Sequence, residues 1–125
     1  MIDTGKNRIL VIDDDSFLRS LLHTILSSSG YEVDLAENGR RGLQRLKDTR
    51  YDLIISDVNM PEVDGLTFYT RLKEDYPGLE DSFLFLTADS RNGTISFFTE
   101  NGCKYLPKPF ETTDLLSEIG AILKK

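Results

Sequence analysis

The sequence predicts an α/β fold, a five-stranded parallel sheet with five helices against it. Uninterrupted apolar runs at residues 9–12, 53–55 and 83–86 have the length and composition of strands buried on both faces. Between these runs the apolar residues recur instead at helical spacing. The runs also end alike, in Asp13-Asp14-Asp15, in Asp57 after Ser56, and in Thr87. Right-handed crossovers between parallel strands leave every C-terminal strand end on one edge, where ligands gather in open α/β sheets. These polar residues are therefore expected to meet.

Taken in order, Ile9-Leu10-Val11-Ile12 is the first strand. From Ser16, Leu18, Leu21, Leu22, Ile25 and Leu26 mark a helix, with Asp15 or Ser16 able to cap it and Gly30 to stop it. Residues 31–36 alternate apolar and polar, as an edge strand does. Asn38-Gly39 opens a shorter helix with Leu43 and Leu46 inward and Arg40, Arg41, Arg45 and Lys47 outward. The strand at 53–56 leads through a Pro61…Gly65 loop to a helix carrying Leu66, Tyr69 and Leu72, which ends before Pro77. After the strand Phe83-Leu84-Phe85-Leu86, residues 92–101 are helical by position but weak in propensity, with Gly93, Thr94, Ile95, Ser96 and Thr99. Residues 104–106 form a short fifth strand before Pro107-Lys108-Pro109-Phe110, and Pro107 should stiffen that loop. The last helix begins near Thr112 or Thr113, either of which can cap it, and carries Leu115, Leu116, Ile119 and Leu123 on one face.

A length of 125 residues suits one domain with a real core, expected at 8–125, with residues 1–7 as a leader or linker stub. Net charge −6 argues against nucleic acid or an anionic membrane as direct partner. The single cysteine, Cys103, excludes an internal disulfide, and no run reaches signal-peptide or membrane-span length, so a cytoplasmic location is expected. Only Lys124 and Lys125 follow Leu123, so no output domain is expected in this chain.

Three carboxylates on one edge repel each other. Two unit charges about 4 Å apart interact by roughly 4 kcal/mol at an effective dielectric near 20. A shifted pKa, a cation or separation must relieve that. An oxygen-only site without His or Cys favours a hard ion, Mg2+ above all. Lys108 adds an ammonium and Thr87 a hydroxyl, a set suited to a phosphoryl group with its several charged oxygens. No Ser-His or Cys-His arrangement is in view, which leaves a carboxylate as nucleophile. Asp57 is the candidate because it ends a central strand alone, whereas Asp13 and Asp14 form a pair suited to metal.

Ile12-Asp13-Asp14-Asp15, Ser56-Asp57-Val58-Asn59-Met60-Pro61 with Asp64-Gly65, Leu86-Thr87-Ala88 and Lys108-Pro109-Phe110 together resemble the receiver domain of two-component response regulators. The resemblance runs from about residue 8 to 123 and implies a doubly wound, flavodoxin-like sheet with strand order 2-1-3-4-5. It implies that Asp57 accepts a phosphoryl group from a phosphohistidine on a histidine kinase or histidine phosphotransfer protein, the chain being a switch that assists its own phosphorylation and dephosphorylation rather than an enzyme. It implies Mg2+ held directly by Asp14, Asp57 and the backbone carbonyl of Asn59, with Asp13 acting mainly through water. It further implies that Lys108 contacts the phosphoryl oxygens, with a cis Lys108–Pro109 bond, and that Thr87 moves inward. Tyr105 would follow from an outward to an inward rotamer, changing the face of the fourth helix, fifth strand and fifth helix, through which a homodimer can form. By the same analogy Asn59 and Asp89 flank the pocket and influence hydrolysis. The chain departs from the family in the turn Gly102-Cys103-Lys104-Tyr105, which is one residue shorter before the aromatic.

Two other readings compete. An aspartate-based, Mg2+-dependent phosphatase of the haloacid-dehalogenase type would use Asp13 of Asp13-Asp14-Asp15 as nucleophile, but this length leaves no room for a cap domain. A receiver-like interaction module that is never phosphorylated would need none of the acidic residues, Thr87 or Lys108.

Overall fold

The computed structural model describes residues 5–124; residues 1–4, most of the expected leader, and Lys125 lie outside the described residues. Strands and helices alternate as β1 (Arg8–Ile12), α1 (Ser16–Ser28), β2 (Glu32–Ala36), α2 (Gly39–Asp48), β3 (Leu53–Ser56), α3 (Gly65–Asp75), β4 (Phe83–Thr87), α4 (Asn92–Asn101), β5 (Lys104–Pro107) and α5 (Thr112–Leu123). A 3-10 turn at Leu79–Ser82 precedes β4. All neighbouring strands pair in parallel, in the order β2-β1-β3-β4-β5, as expected.

The apolar runs make sense once their two faces are separated. Leu10, Ile12, Ile54, Phe83 and Phe85 point to one side, against Leu46 of α2, Phe68 and Leu72 of α3, and Phe98 of α4. Ile9, Val11, Leu53, Ile55, Leu84 and Leu86 point to the other, against Leu22 and Leu26 of α1 and Leu115, Ile119 and Ile122 of α5. Side chains alternate faces along a strand, so a strand covered twice must be apolar throughout. Each fully buried Leu, Ile or Phe contributes about 1.5–3 kcal/mol relative to exposure.

Local detail at two helices adds to the periodic pattern. Leu21 is 42% exposed: it lies about 100° around α1 from Leu22, off the stripe facing the sheet. The expected cap at Thr112 or Thr113 needs correction: Glu111 is the N-cap residue of α5, and its side chain makes no capping bond. At α1 the expectation holds, with Asp15 Oδ1 accepting the Phe17 and Leu18 amides.

The Asp64-Gly65 pair has a steric reason. Asp64 caps α3 by accepting the Thr67 amide, and Gly65 donates its N–H to the Val58 carbonyl at 2.8 Å. A Cβ on Gly65 would lie 2.0 Å from the Asp57 carbonyl oxygen, so only glycine lets α3 start this close to the end of β3.

Candidate functional site

The backbone ladder continues one residue past three strand ends and thereby places three charged side chains. Asp13 donates its N–H to Ala36 at 3.1 Å, Asp57 to Ile12 at 3.0 Å, and Lys108 to Thr87 at 2.9 Å, each time to a backbone carbonyl. Lys108, 51 residues after Asp57 and 95 after Asp13, then reaches both: its Nζ lies 3.1 Å from Asp13 Oδ2 and 3.3 Å from Asp57 Oδ2. The Lys108–Pro109 peptide bond is cis.

Two of the three carboxylates, Asp13 and Asp57, are held by hydrogen bonds. Asp13, 2% exposed, accepts the Asp15 amide at Oδ1, while Arg19 Nη1 donates to its backbone carbonyl at 2.7 Å. Asp57 Oδ1 accepts the Val58 amide at 2.7 Å, leaving Oδ2 toward Lys108. Asp14 is exposed, yet one carboxylate oxygen from each of Asp13, Asp14 and Asp57 lies within 4.8 Å of the others. Burial raises the pKa of Asp57 above the ordinary carboxylate value, with the Asp13 charge adding to the rise and Lys108 opposing it. Burial alone would depress the Lys108 pKa, but Asp13 and Asp57 outweigh it and the net shift is upward. One ammonium thus faces three carboxylates, an excess of negative charge on an oxygen-only donor set that fits a hard divalent cation.

Thr87 is buried on the same edge, with Oγ1 accepting the Asp89 N–H at 2.9 Å. Among the described residues no hydrogen bond joins its hydroxyl to Asp57 or Lys108. Asn59 is exposed and its amide reaches Asp89 Oδ2 at 3.4 Å. Tyr105 is 42% exposed and its ring stacks on Phe98 with centroids 4.6 Å apart.

Arg91 and Arg19 were not legible as site residues. Arg91 forks onto Asp89, Nη2 to Oδ2 at 2.6 Å and Nε to Oδ1 at 3.0 Å, and these contacts hold the Asp89 pKa far below the ordinary carboxylate range. The spacing Asp89-x-Arg91 signals only a local turn; its position beside Asn59 depends on a contact 30 residues away in sequence.

A family model for the response regulator receiver domain matches residues 9–120. Response regulator MprA of Mycolicibacterium vanbaalenii is 39% identical over 119 residues, covering 94% of this chain and 51% of that protein. The chain spans about half the length of the curated relatives it matches. The chemotaxis protein CheY4 of Vibrio cholerae superposes with a TM-score of 0.85 at 30% identity, covering 94% of this chain and 99% of that one. The receiver domain of a signal transduction histidine kinase from Syntrophus aciditrophicus gives 0.86 at 33% identity, covering 94% and 90%. Among the described residues, no helix is long and apolar enough to cross a membrane.

Proposed function

The chain belongs to the receiver domain family of response regulators, and from that premise we propose that it is a phosphoacceptor switch in which Asp57 takes a phosphoryl group from a phosphohistidine. The observation that carries the proposal is the Lys108 ammonium set between Asp13 and Asp57, at 3.1 and 3.3 Å, on an edge with a third carboxylate.

In the transfer, an Asp57 carboxylate oxygen bonds to phosphorus as the phosphorus–nitrogen bond of the donor breaks. The electron pair stays on the imidazole nitrogen, which takes up a proton, and the product is an acyl phosphate. The Val58 amide orients the attacking carboxylate. Lys108, already beside Asp57, neutralises charge on the phosphoryl oxygens without having to be recruited. Asp14, Asp57 and the Asn59 carbonyl, with Asp13 through water, would hold Mg2+, which when bound offsets the charge of the carboxylates and phosphoryl group. Thr87 then turns its hydroxyl toward the phosphate and Tyr105 leaves its stack on Phe98, altering the face made by α4, β5 and α5. That face is the proposed output surface and the route to a homodimer. The donor is a histidine kinase or a histidine phosphotransfer protein in the cytoplasm, the receiver unit being residues 8–125. The side chain of Asp13 is 2% exposed against 13% for Asp57, which speaks against Asp13 as the nucleophile of a phosphatase.

Intact mass after incubation with Mg2+ and acetyl phosphate tests the proposal. One added phosphoryl group is expected, absent without Mg2+ and absent in Asp57→Asn. A folded protein that stays unmodified with both acetyl phosphate and a phosphorylated histidine donor would overturn it.

A further inference from the structure

The Asp89 carboxylate is the most heavily engaged polar group beside the site. Its side chain is 2% exposed, while the Arg91 side chain that covers it is 75% exposed. Oδ1 accepts the Arg91 backbone N–H and Nε, each at 3.0 Å. Oδ2 accepts Arg91 Nη2 at 2.6 Å, the buried Thr94 hydroxyl at 3.0 Å and the Asn59 amide at 3.4 Å. The N–H of the same residue is the donor that occupies Thr87 Oγ1. Helix α4 has no side chain capping its first turn from the N-cap position, so Asp89 and Thr94 tie the loop to the helix instead.

We infer that Arg91 is a positioning residue: by clamping Asp89 it holds the loop between β4 and α4 in the form that keeps the Thr87 hydroxyl on the Asp89 amide. The inference rests on the reading of Asp57 as phosphoacceptor, and it assigns to an arginine outside the family motifs control over how readily Thr87 is released. Turning the Thr87 hydroxyl toward a phosphoryl group on Asp57 breaks its bond with the Asp89 N–H. The loop must shift to free it, and the fork on the carboxylate resists that shift. Arg91 is the part of the clamp that can be withdrawn cheaply, because its guanidinium rehydrates on leaving while Thr94 is buried. A planar fork matters as well as a charge, since Arg91 engages both carboxylate oxygens from two nitrogens.

The test uses wild type, Arg91→Ala and Arg91→Lys, with two readouts. Amide hydrogen exchange of the unphosphorylated proteins reads the bond from Asp89 to Thr87, and intact mass with acetyl phosphate and Mg2+ reads the rate of phosphoryl uptake. In Arg91→Ala, exchange at the Asp89 amide is expected to rise roughly five- to tenfold, and uptake to accelerate by a similar factor, while amides of β1 and α5 stay unchanged. Arg91→Lys should fall between the two. Unchanged exchange at Asp89, or faster exchange with an unchanged uptake rate, would overturn the inference. No uptake by any of the three, from acetyl phosphate or from a phosphorylated histidine donor, would instead overturn the phosphoacceptor reading and the inference with it; the exchange data tell the two failures apart.

Discussion

The two halves of the sheet are built to different standards. In the half around β1 and β3, Ile9 through Ile12 and Leu53 through Ser56 are all buried, and Asp13 and Asp57 hang directly from their ends. In the other half, β5 alternates half-buried and exposed residues, and α4 buries only Thr94 and Phe98 along its length. Tyr105 belongs to that looser region, within β5, while Thr87 closes β4, a strand buried at every position, just where the loop to α4 begins. A region with few buried apolar contacts opens at low free-energy cost, whereas a fully covered strand opens only with the whole fold. The division therefore lets the carboxylates stay fixed while the parts that would report on them move. Lys108 follows β5 in sequence but bonds to Asp13 and Asp57, so it links the halves at one point.

The sharpest way to break this contrast is by burial. Ile55→Ala in β3 is expected to cost about 2–5 kcal/mol in urea denaturation. Leu106→Ala, half-buried in β5, is expected to cost about 1–1.5 kcal/mol, in line with its smaller buried area. Equal losses would mean the two halves are equally well packed.

Smaller effects, and opposite in sign, should come from pH, measured without divalent ions. The folded pKa of Asp57 lies above its ordinary value of 3.8, so its favourable contribution is present below that value and is lost as pH rises through the folded pKa. Asp57→Asn should accordingly be more stable than wild type at neutral pH and lose its advantage as the pH falls below about 4. Asp89 has a depressed pKa, so its contribution is present above the ordinary value and is lost as pH falls through the folded one. Asp89→Asn should be less stable at neutral pH, with the deficit shrinking in acid. Chemical denaturation across pH 3 to 7, about the range in which carboxylates titrate, checks both signs.

Mg2+ sharpens the comparison further, since its proposed ligands sit at the ends of β1 and β3. A free concentration about ten times its Kd should add about 1.4 kcal/mol to stability, and Asp14→Asn should remove most of that gain. A gain undiminished in that variant would place the ion elsewhere. The smallest effect is local: amides in α4 should exchange faster than those in α1, although both helices lie on the same sheet. Equal protection would show α4 to be as firmly docked as α1, despite the residues of low helix propensity across 93–99.

Much of this was legible because it follows from local pattern. Ile9-Leu10-Val11-Ile12 and Phe83-Leu84-Phe85-Leu86 read as doubly covered strands, and Asp15 and Asn38 open their helices as short polar side chains do. Parallel pairing then sends Asp13, Asp57 and Thr87 to one edge whatever the details of packing. Leu21 shares the helical spacing of α1 yet is exposed, because a run of leucines is wider than the stripe that one helix can press against a sheet.

By itself, then, the sequence determined the strand and helix order, the parallel topology and the set of polar residues at the C-terminal edge. Only the tertiary structure decided which of them touch. Lys108 bonds to Asp13 and Asp57 across 95 and 51 residues, while the Thr87 hydroxyl sits on its own loop and Arg91 closes over Asp89. The physical reason is that periodicity records which face a residue lies on, whereas a hydrogen bond depends on ångström-scale separations set jointly by every element packed around it.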